Sequence, residues 1–266
     1  MTSNGYIELS YLQVGAATLL ILINGGISVA LKLGLERRLL VAATRTVIQL
    51  LLVGLVLQWV FSVSTWYLVV ALMLVMALVA GVAAVRRTDR RYPGIWLNAI
   101  LSVWVSSWVI TAAALFGIVD VEPWFAPQYA IPLLGMILGN TLNGISLGLD
   151  RLGEELTGRR SEVEGLLALG ATRWEAARGP VRRAVRTGMI PIVNSMMVVG
   201  IVSLPGMMTG QLLAGVAPVD AVEYQVVIMF LIASGTALGT VGVVLLSYRR
   251  LFNPHHQFLH HLIRKV

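Results

Sequence analysis

Residues 46–85 read TVIQLLLVGLVLQWVFSVSTWYLVVALMLVMALVAGVAAV, forty positions without one charged side chain. A helix rises 1.5 Å per residue, and about 20 apolar residues cross the hydrocarbon core of a bilayer, so this stretch is long enough to cross twice. Its centre shows where it turns. Ser62-Val63-Ser64-Thr65 is a polar break flanked by Trp59 and Trp66, aromatics of the kind enriched where a membrane meets water. The stretch therefore folds into two helices.

Outward from it lie five further uncharged runs, 9–31, 92–119, 123–149, 187–219 and 224–248. Together they predict an all-α, polytopic membrane protein of seven transmembrane helices, at about 8–31, 39–60, 66–86, 95–118, 129–150, 188–204 and 221–247. The first run is too long for the apolar core of a cleavable signal and lacks a basic leader, so it reads as a retained helix. Composition agrees: 57% of the 266 residues are apolar and 12% charged, against about 25% charged in a soluble domain. With no cysteine, disulfide frameworks, thiolate metal sites and cysteine catalysis are excluded. No repeat or low-complexity tract divides the chain, which reads as one transmembrane domain over 1–266.

The basic residues orient the spans. Lys32, Arg37, Arg38 and Arg45 lie at the first connection, and Arg86, Arg87, Arg90 and Arg91 at the third. Arg151, Arg159, Arg160, Arg173, Arg178, Arg182, Arg183 and Arg186 fill the fifth, and Arg249, Arg250, Arg264 and Lys265 the tail. These are all 20 Lys and Arg residues, so the positive-inside rule puts the N-terminus outside and the C-terminus in the cytoplasm of a cell-membrane protein. Eight acidic residues share the inner side, leaving +12 there, while Glu8, Asp120, Glu122, Asp220 and Glu223 leave −5 outside; the net +7 needs no nucleic-acid partner. Arg45, inside the start of the second span beside Gln49, is expected to snorkel to the inner surface. Trp124, like Trp59 and Trp66, is expected to anchor a helix end.

One cytoplasmic segment, about 151–187, is large enough to meet a partner. A hydroxyl residue followed three later by Glu recurs in it twice, as Ser161…Glu164 and Thr172…Glu175, both fitting a helix-start capping box. Val163, Leu166 and Leu167 form an apolar face, and Gly170 stands where a C-terminal glycine cap belongs. A short amphipathic helix over about 162–169, a turn and a basic helix feeding the sixth span follow, with Pro180 and Pro191 expected to kink or interrupt that feed. From these residues alone, Glu164 could equally be a capping residue of a linker.

The run Glu164-Gly-Leu-Leu-Ala-Leu-Gly170-Ala171-Thr-Arg-Trp174-Glu175-Ala-Ala177 resembles the EAA-type coupling loop of ABC transporter permeases, in which a Glu precedes Gly-Ala by six residues. It departs from that pattern downstream, where Pro180 occupies the place of the usual Ile of an Ile-x-x-Pro pair. More of the chain resembles the FetB family of iron-export permeases: residues 135–152 (GMILGNTLNGISLGLDRL), 194–200 (NSMMVVG) and 204–211 (LPGMMTGQ) carry that likeness. The resemblance implies a permease subunit, acting as a homodimer, that exports a metal ion with a separate ATPase docked on Glu164, Gly170, Ala171, Trp174 and Glu175. Plant relatives tied to aluminium tolerance imply that the substrate varies within the family; other metals and nucleotide sugars are the alternatives. Direction of transport follows from the resemblance alone.

The chain has no Gly-x-x-x-x-Gly-Lys-Ser/Thr, and its two lysines, Lys32 and Lys265, follow no glycine. ATP and Mg²⁺ are therefore expected on the partner subunit; this chain should bind no cofactor. It holds no catalytic constellation and is not expected to be an enzyme. An ATP-independent secondary transporter is the rival class, opposed by the lack of an Asp, Glu or His at mid-span. Candidate pathway residues are Asn140, Asn143, Asn194, Met196, Met197, Met207, Met208 and Gln211. The asparagines lie near Gly135/Gly139 and Gly144/Gly148, small-residue pairs that also suit helix packing. Pro205-Gly206 breaks an apolar segment, as backbone lining a cavity does. Methionine thioethers are soft ligands and equally core filler, so no metal ligand is assigned. His255, His256, His260 and His261 read as a solvated tail, with His256 and His260 at metal-ligand spacing should a helix form there.

Overall fold

The computed structural model describes residues 10–63 and 65–265; Glu8, one of the five expected outer acids, lies outside them. Nine α-helices occur among the described residues. Helices α1 (Tyr11–Ala30) and α2 (Glu36–Val63) form a hairpin, and α3 (Trp66–Arg86) follows after a break beyond Val63, so that Ser62 and Val63 of the expected polar turn still belong to α2. Trp59 and Trp66 are exposed on either side of that turn. Helix α4 (Ile95–Ala113) runs on through a π-helical turn, Ala114–Ile118, and α5 spans Pro127–Gly158. Then come α6 (Arg160–Ala168), α7 (Arg173–Val198), α8 (Gly206–Leu213) and α9 (Pro218–Leu251). A two-residue ladder of β1 (Arg90–Arg91) with β2 (Arg264–Lys265) ties the tail to the connection between α3 and α4, and isolated bridges pair Val199 with Ser203 and Phe252 with Phe258.

Helices α5 and α9 make the centre. Helix α5 packs on α3, α4, α7 and α9, while α9 also touches α4 and α7. Between apolar helices in lipid there is no hydrophobic driving force, so close packing must supply the contact. Small residues permit it. A Cβ on Gly188 of α7 would stand 2.6 Å from the Gly144 carbonyl oxygen of α5 and 2.5 Å from Thr240 Cγ2 of α9. The α1–α2 hairpin stands apart, meeting the rest mainly through Leu57, Val60 and Phe61, and presents Leu50, Leu51 and Leu55 outward.

Five helices are long and apolar enough to cross a membrane: α2, α3, α4 with its π turn, α5 and α9. Of the other two expected spans, α1 is apolar over Gly15–Ala30, and α7 joins a charged first half to an apolar second half. The expected sixth span at 188–204 is corrected in its limits: it is the second half of one helix that starts at Arg173 and ends at Val198. Nor do Pro180 and Pro191 interrupt that helix, which runs through both. Each proline forfeits a backbone bond at a cost of about 3 kcal/mol. Ala177, Val181, Ala184, Gly188 and Ile192, a buried stripe facing α5 and α9, keep the helix whole.

Candidate functional site

The basic end of the molecule is built from α5, α6, the start of α7 and the folded-back tail. Thirty-two residues make α5 about 48 Å long, against about 30 Å of hydrocarbon, so its last turns project from the membrane. There Glu155, 4% exposed, accepts from Arg151, Arg159 and Arg183, with Nε–Oε2 distances of 3.1 Å from Arg159 and 2.7 Å from Arg183. One carboxylate thus joins α5, the entry to α6 and the flank of α7.

Helix α6 has no side-chain cap at its start, but its end is specified. Its C-terminus closes in a Schellman arrangement: Gly170 N–H donates to the Leu167 carbonyl at 3.1 Å and Ala171 N–H to that of Leu166 at 3.0 Å. Gly170 has φ of +92°, a left-handed conformation that side chains with a Cβ resist. Two residues on, α7 opens with a complete capping box. Thr172 Oγ1 accepts the Glu175 N–H at 3.3 Å, and Glu175 Oε2 accepts the Thr172 N–H at 2.7 Å. These bonds hold the Glu175 carboxyl below its usual range, the Thr172 hydroxyl contributing most. The expected capping box at Ser161–Glu164 does not form. Helix α6 starts earlier, with Arg159 at its cap and Ser161 already inside, and Glu164 instead accepts from Arg160 Nε at 2.8 Å. Val163 is buried, Leu166 is exposed, and Leu169 is 87% exposed, so α6 offers an apolar tip to solvent. Trp174 is also exposed, its ring edge-on to Tyr248 at 5.5 Å.

The tail folds back on its aromatic residues, while His255, His256 and His261 stay exposed as expected and His260 is half-buried. Phe252 stacks on Phe258 at 5.1 Å, and both are buried. His256 Nδ1 accepts the Arg173 N–H at 2.9 Å, taking one of the orphan donors at the start of α7, and His260 Nδ1 lies 3.8 Å from Glu164 Oε1. His256 and His260 lie on no common helix, since residues 253–259 form a turn. The aromatic residues of the tail supplied the missed signal: Phe252 and Phe258 are poor candidates for a solvated end.

Within the membrane the expected pathway residues divide. Asn140 Nδ2 donates to the Met136 carbonyl of its own helix at 2.9 Å, and Asn143 Oδ1 accepts from Arg87 at 2.6 Å. Asn194 is exposed on α7, and Met197 is 73% exposed beside it. Met196 and Met208 line one cavity of about 280 Å³ between α7, α8 and α9, together with Met229 and Gln225, which the sequence did not single out. Gln225 is 5% exposed and its Oε1 has no partner. Met207 packs on the core, and Gln211 is half-buried with an unpartnered Oε1. A second unpredicted feature is a run of buried hydroxyls at the α4–α5–α9 contact, Ser102, Thr141, Thr236 and Thr240, whose oxygens also lack partners. Among the described residues no three His, Cys, Asp or Glu side chains gather as a metal site.

Long apolar helices, a belt tryptophan pair and a structured basic end define a multi-pass helical membrane protein. The chain belongs to the family described as "Uncharacterised protein family (UPF0014)", whose model matches residues 11–252. It is 43% identical over 227 residues to the UPF0014 membrane protein slr1647 of Synechocystis, covering 85% of this chain and 88% of that one. It is 33% identical over 247 residues to a protein of Escherichia coli named "Probable iron export permease protein FetB", covering 93% and 94%. To the protein ALUMINUM SENSITIVE 3 of Arabidopsis thaliana it is 30% identical over 247 residues, covering 93% and 89%. The likeness to FetB drawn from the sequence thus extends over nearly the whole chain. No solved structure matches it.

Proposed function

We propose that this chain is the permease subunit of an ATP-driven exporter of a metal ion, iron first among the candidates, spanning the membrane seven times with its basic end in the cytoplasm. Two copies line a path, and two separate ATPase chains, which bind the ATP and Mg²⁺, dock beneath them. The observation that carries the reading is the α6–Gly170–α7 unit. A short helix with an exposed apolar tip, closed at its C-terminal end by Gly170, is joined through residues 169–172 to a helix that opens with a capping box and continues into the membrane. Glu164, Gly170, Ala171, Trp174 and Glu175 all sit on that unit. A push on α6 is delivered to Asn194 and Met196 near the far end of α7.

The relative named as a probable iron export permease supports the substrate class. Against a proton-coupled carrier stands the sequence of the five long apolar helices, none of which has an Asp, Glu or His at its middle. The test is reconstitution with a candidate ABC ATPase subunit. Fe(II), other divalent metals and nucleotide sugars are compared as stimulators of ATP hydrolysis. Stimulation by Fe(II), abolished by Glu164→Ala together with Gly170→Val while both chains still reach the membrane, is the expected result. Transport that proceeds without any ATPase would overturn it.

A further inference from the structure

Between α4 and α9 runs a groove of about 920 Å³, of whose lining the transport reading uses only Trp174 at the mouth. Its α4 wall carries Leu101, Val105 and Val109, and its α9 wall runs from Leu238 to Arg249. At 1.5 Å per residue the α9 wall is about 16 Å long, close to the about 15 Å of one leaflet's hydrocarbon. The deep part is mostly apolar, with Ser102 and Ser106 as its hydroxyls, and open to the side, where Leu101, Val105 and Val109 are exposed. Its mouth differs. Arg173, Arg249 and His256 line it at the basic end of the protein, with Trp174 beside them. Among the described residues neither arginine has a carboxylate within ion-pair distance. Glu175, on the same helix start, is held by Thr172. His256 accepts through Nδ1, which in its neutral form leaves the proton on Nε2 as a donor.

We propose that this groove is a binding site for an anionic glycerophospholipid of the leaflet at the basic end. An acyl chain lies along Val105 and Leu238, and the phosphate sits between Arg173 and Arg249. Two cations without a counter-ion at the end of an apolar groove one leaflet deep match the charge, the polarity and the length of such a lipid, and basic pockets between spans bind acidic head groups. A zwitterionic lipid satisfies the same walls but brings its own cation to the mouth. The site requires membrane insertion only, so it stands or falls separately from the transport reading. Its ligand touches the first turn of α7, so lipid composition would bear on the same helix that the coupling unit drives.

The experiment uses the full chain purified in mild detergent and stripped of lipid. Phosphatidylglycerol and phosphatidylcholine with identical acyl chains are titrated in, and occupancy is read by native mass spectrometry alongside the thermal midpoint. Phosphatidylglycerol should bind about tenfold more tightly. The double variant Arg173→Gln/Arg249→Gln should lose that preference, and Arg264→Gln on the exposed tail should keep it. Val105→Trp, which fills the apolar wall without touching the arginines, should lower occupancy by both lipids. Equal binding of the two lipids, or undiminished preference in the double variant, overturns the proposal. So does full protection by soluble glycerol 3-phosphate, which would make the arginines a site for free phosphate.

Discussion

Arg183 of α7 donates through Nε to Glu155 of α5 at 2.7 Å, joining two helices at the level where α5 gives way to α6. The acceptor is buried and two more arginines, Arg151 and Arg159, reach it from its own helix and the next junction. A buried carboxylate so placed keeps three guanidinium groups together; without it they repel. Glu155→Ala should therefore cost about 2–3 kcal/mol, the low end of the range for breaking a buried pair because the arginines are partly exposed. Thermal unfolding in detergent checks it, and a midpoint equal to wild type would show that the arginines do not depend on Glu155.

The contact between Gly188 and Gly144 makes a sharper demand. Gly188→Ala puts a methyl group 2.6 Å from a backbone oxygen that cannot swing aside. Overpacking of this kind costs about 1–3 kcal/mol. Gly139→Ala in α5 meets nothing within 4 Å and serves as the control. Comparable midpoints for the two variants would mean that the three helices are looser than described.

At Gly170 the constraint is conformational, since nothing crowds the position. Asparagine enters the left-handed region far more readily than a β-branched residue. ATP hydrolysis coupled to transport should fall in the order wild type, Gly170→Asn, Gly170→Val. An inverted order, with Val better than Asn, would separate coupling from the Schellman closure.

Acidity acts on the start of α7 through Glu175. Its carboxyl is held below the ordinary glutamate value, so the cap's contribution is complete above that value, about pH 4.3, and fades as pH falls through the lower folded-state value. The difference in midpoint between wild type and Glu175→Gln should shrink on acidification. A difference that stays constant from neutral pH to pH 3 contradicts the assignment.

Thr236 and Thr240 are buried with unpartnered hydroxyls. Valine keeps the shape and removes the unpaired group, so Thr236→Val should leave the stability, and with it the thermal midpoint, unchanged or raise the stability by up to about 1 kcal/mol. Transport lost at an unchanged midpoint would mark the hydroxyl as part of the path; a destabilisation of more than about 1 kcal/mol would reveal a hydrogen bond that the geometry lacks.

How much of this could be read from residues alone follows from the range of each interaction. The break beyond Val63, the Thr172–Glu175 cap and the glycine closure at Gly170 are local, set within a few residues, and the sequence displays them. The start of α6 is set from outside it: α5 ends at Gly158 and α6 follows at Arg160 without a side-chain cap, which puts Ser161 inside the helix. Glu155 escaped notice although Arg151 and Arg159 flank it at helical spacing, because burial is contributed by Arg183, 28 residues away. The hydroxyl run at Ser102, Thr141, Thr236 and Thr240 draws on three helices, and no periodicity within one of them announces it.

The unbroken course of α7 through Pro180 and Pro191 has a mechanical consequence. Twenty-six residues form a rod about 39 Å long, and a tilt of about 5° about one end carries the other about 3 Å, the width of a water molecule. The helix ends at Val198, and at Gly200 the chain turns with φ of +82°. The gearing between the basic end and the membrane interior is therefore set by the length of one helix, and a residue inserted into or deleted from it between Ala184 and Pro191 would rotate everything beyond it by about 100°.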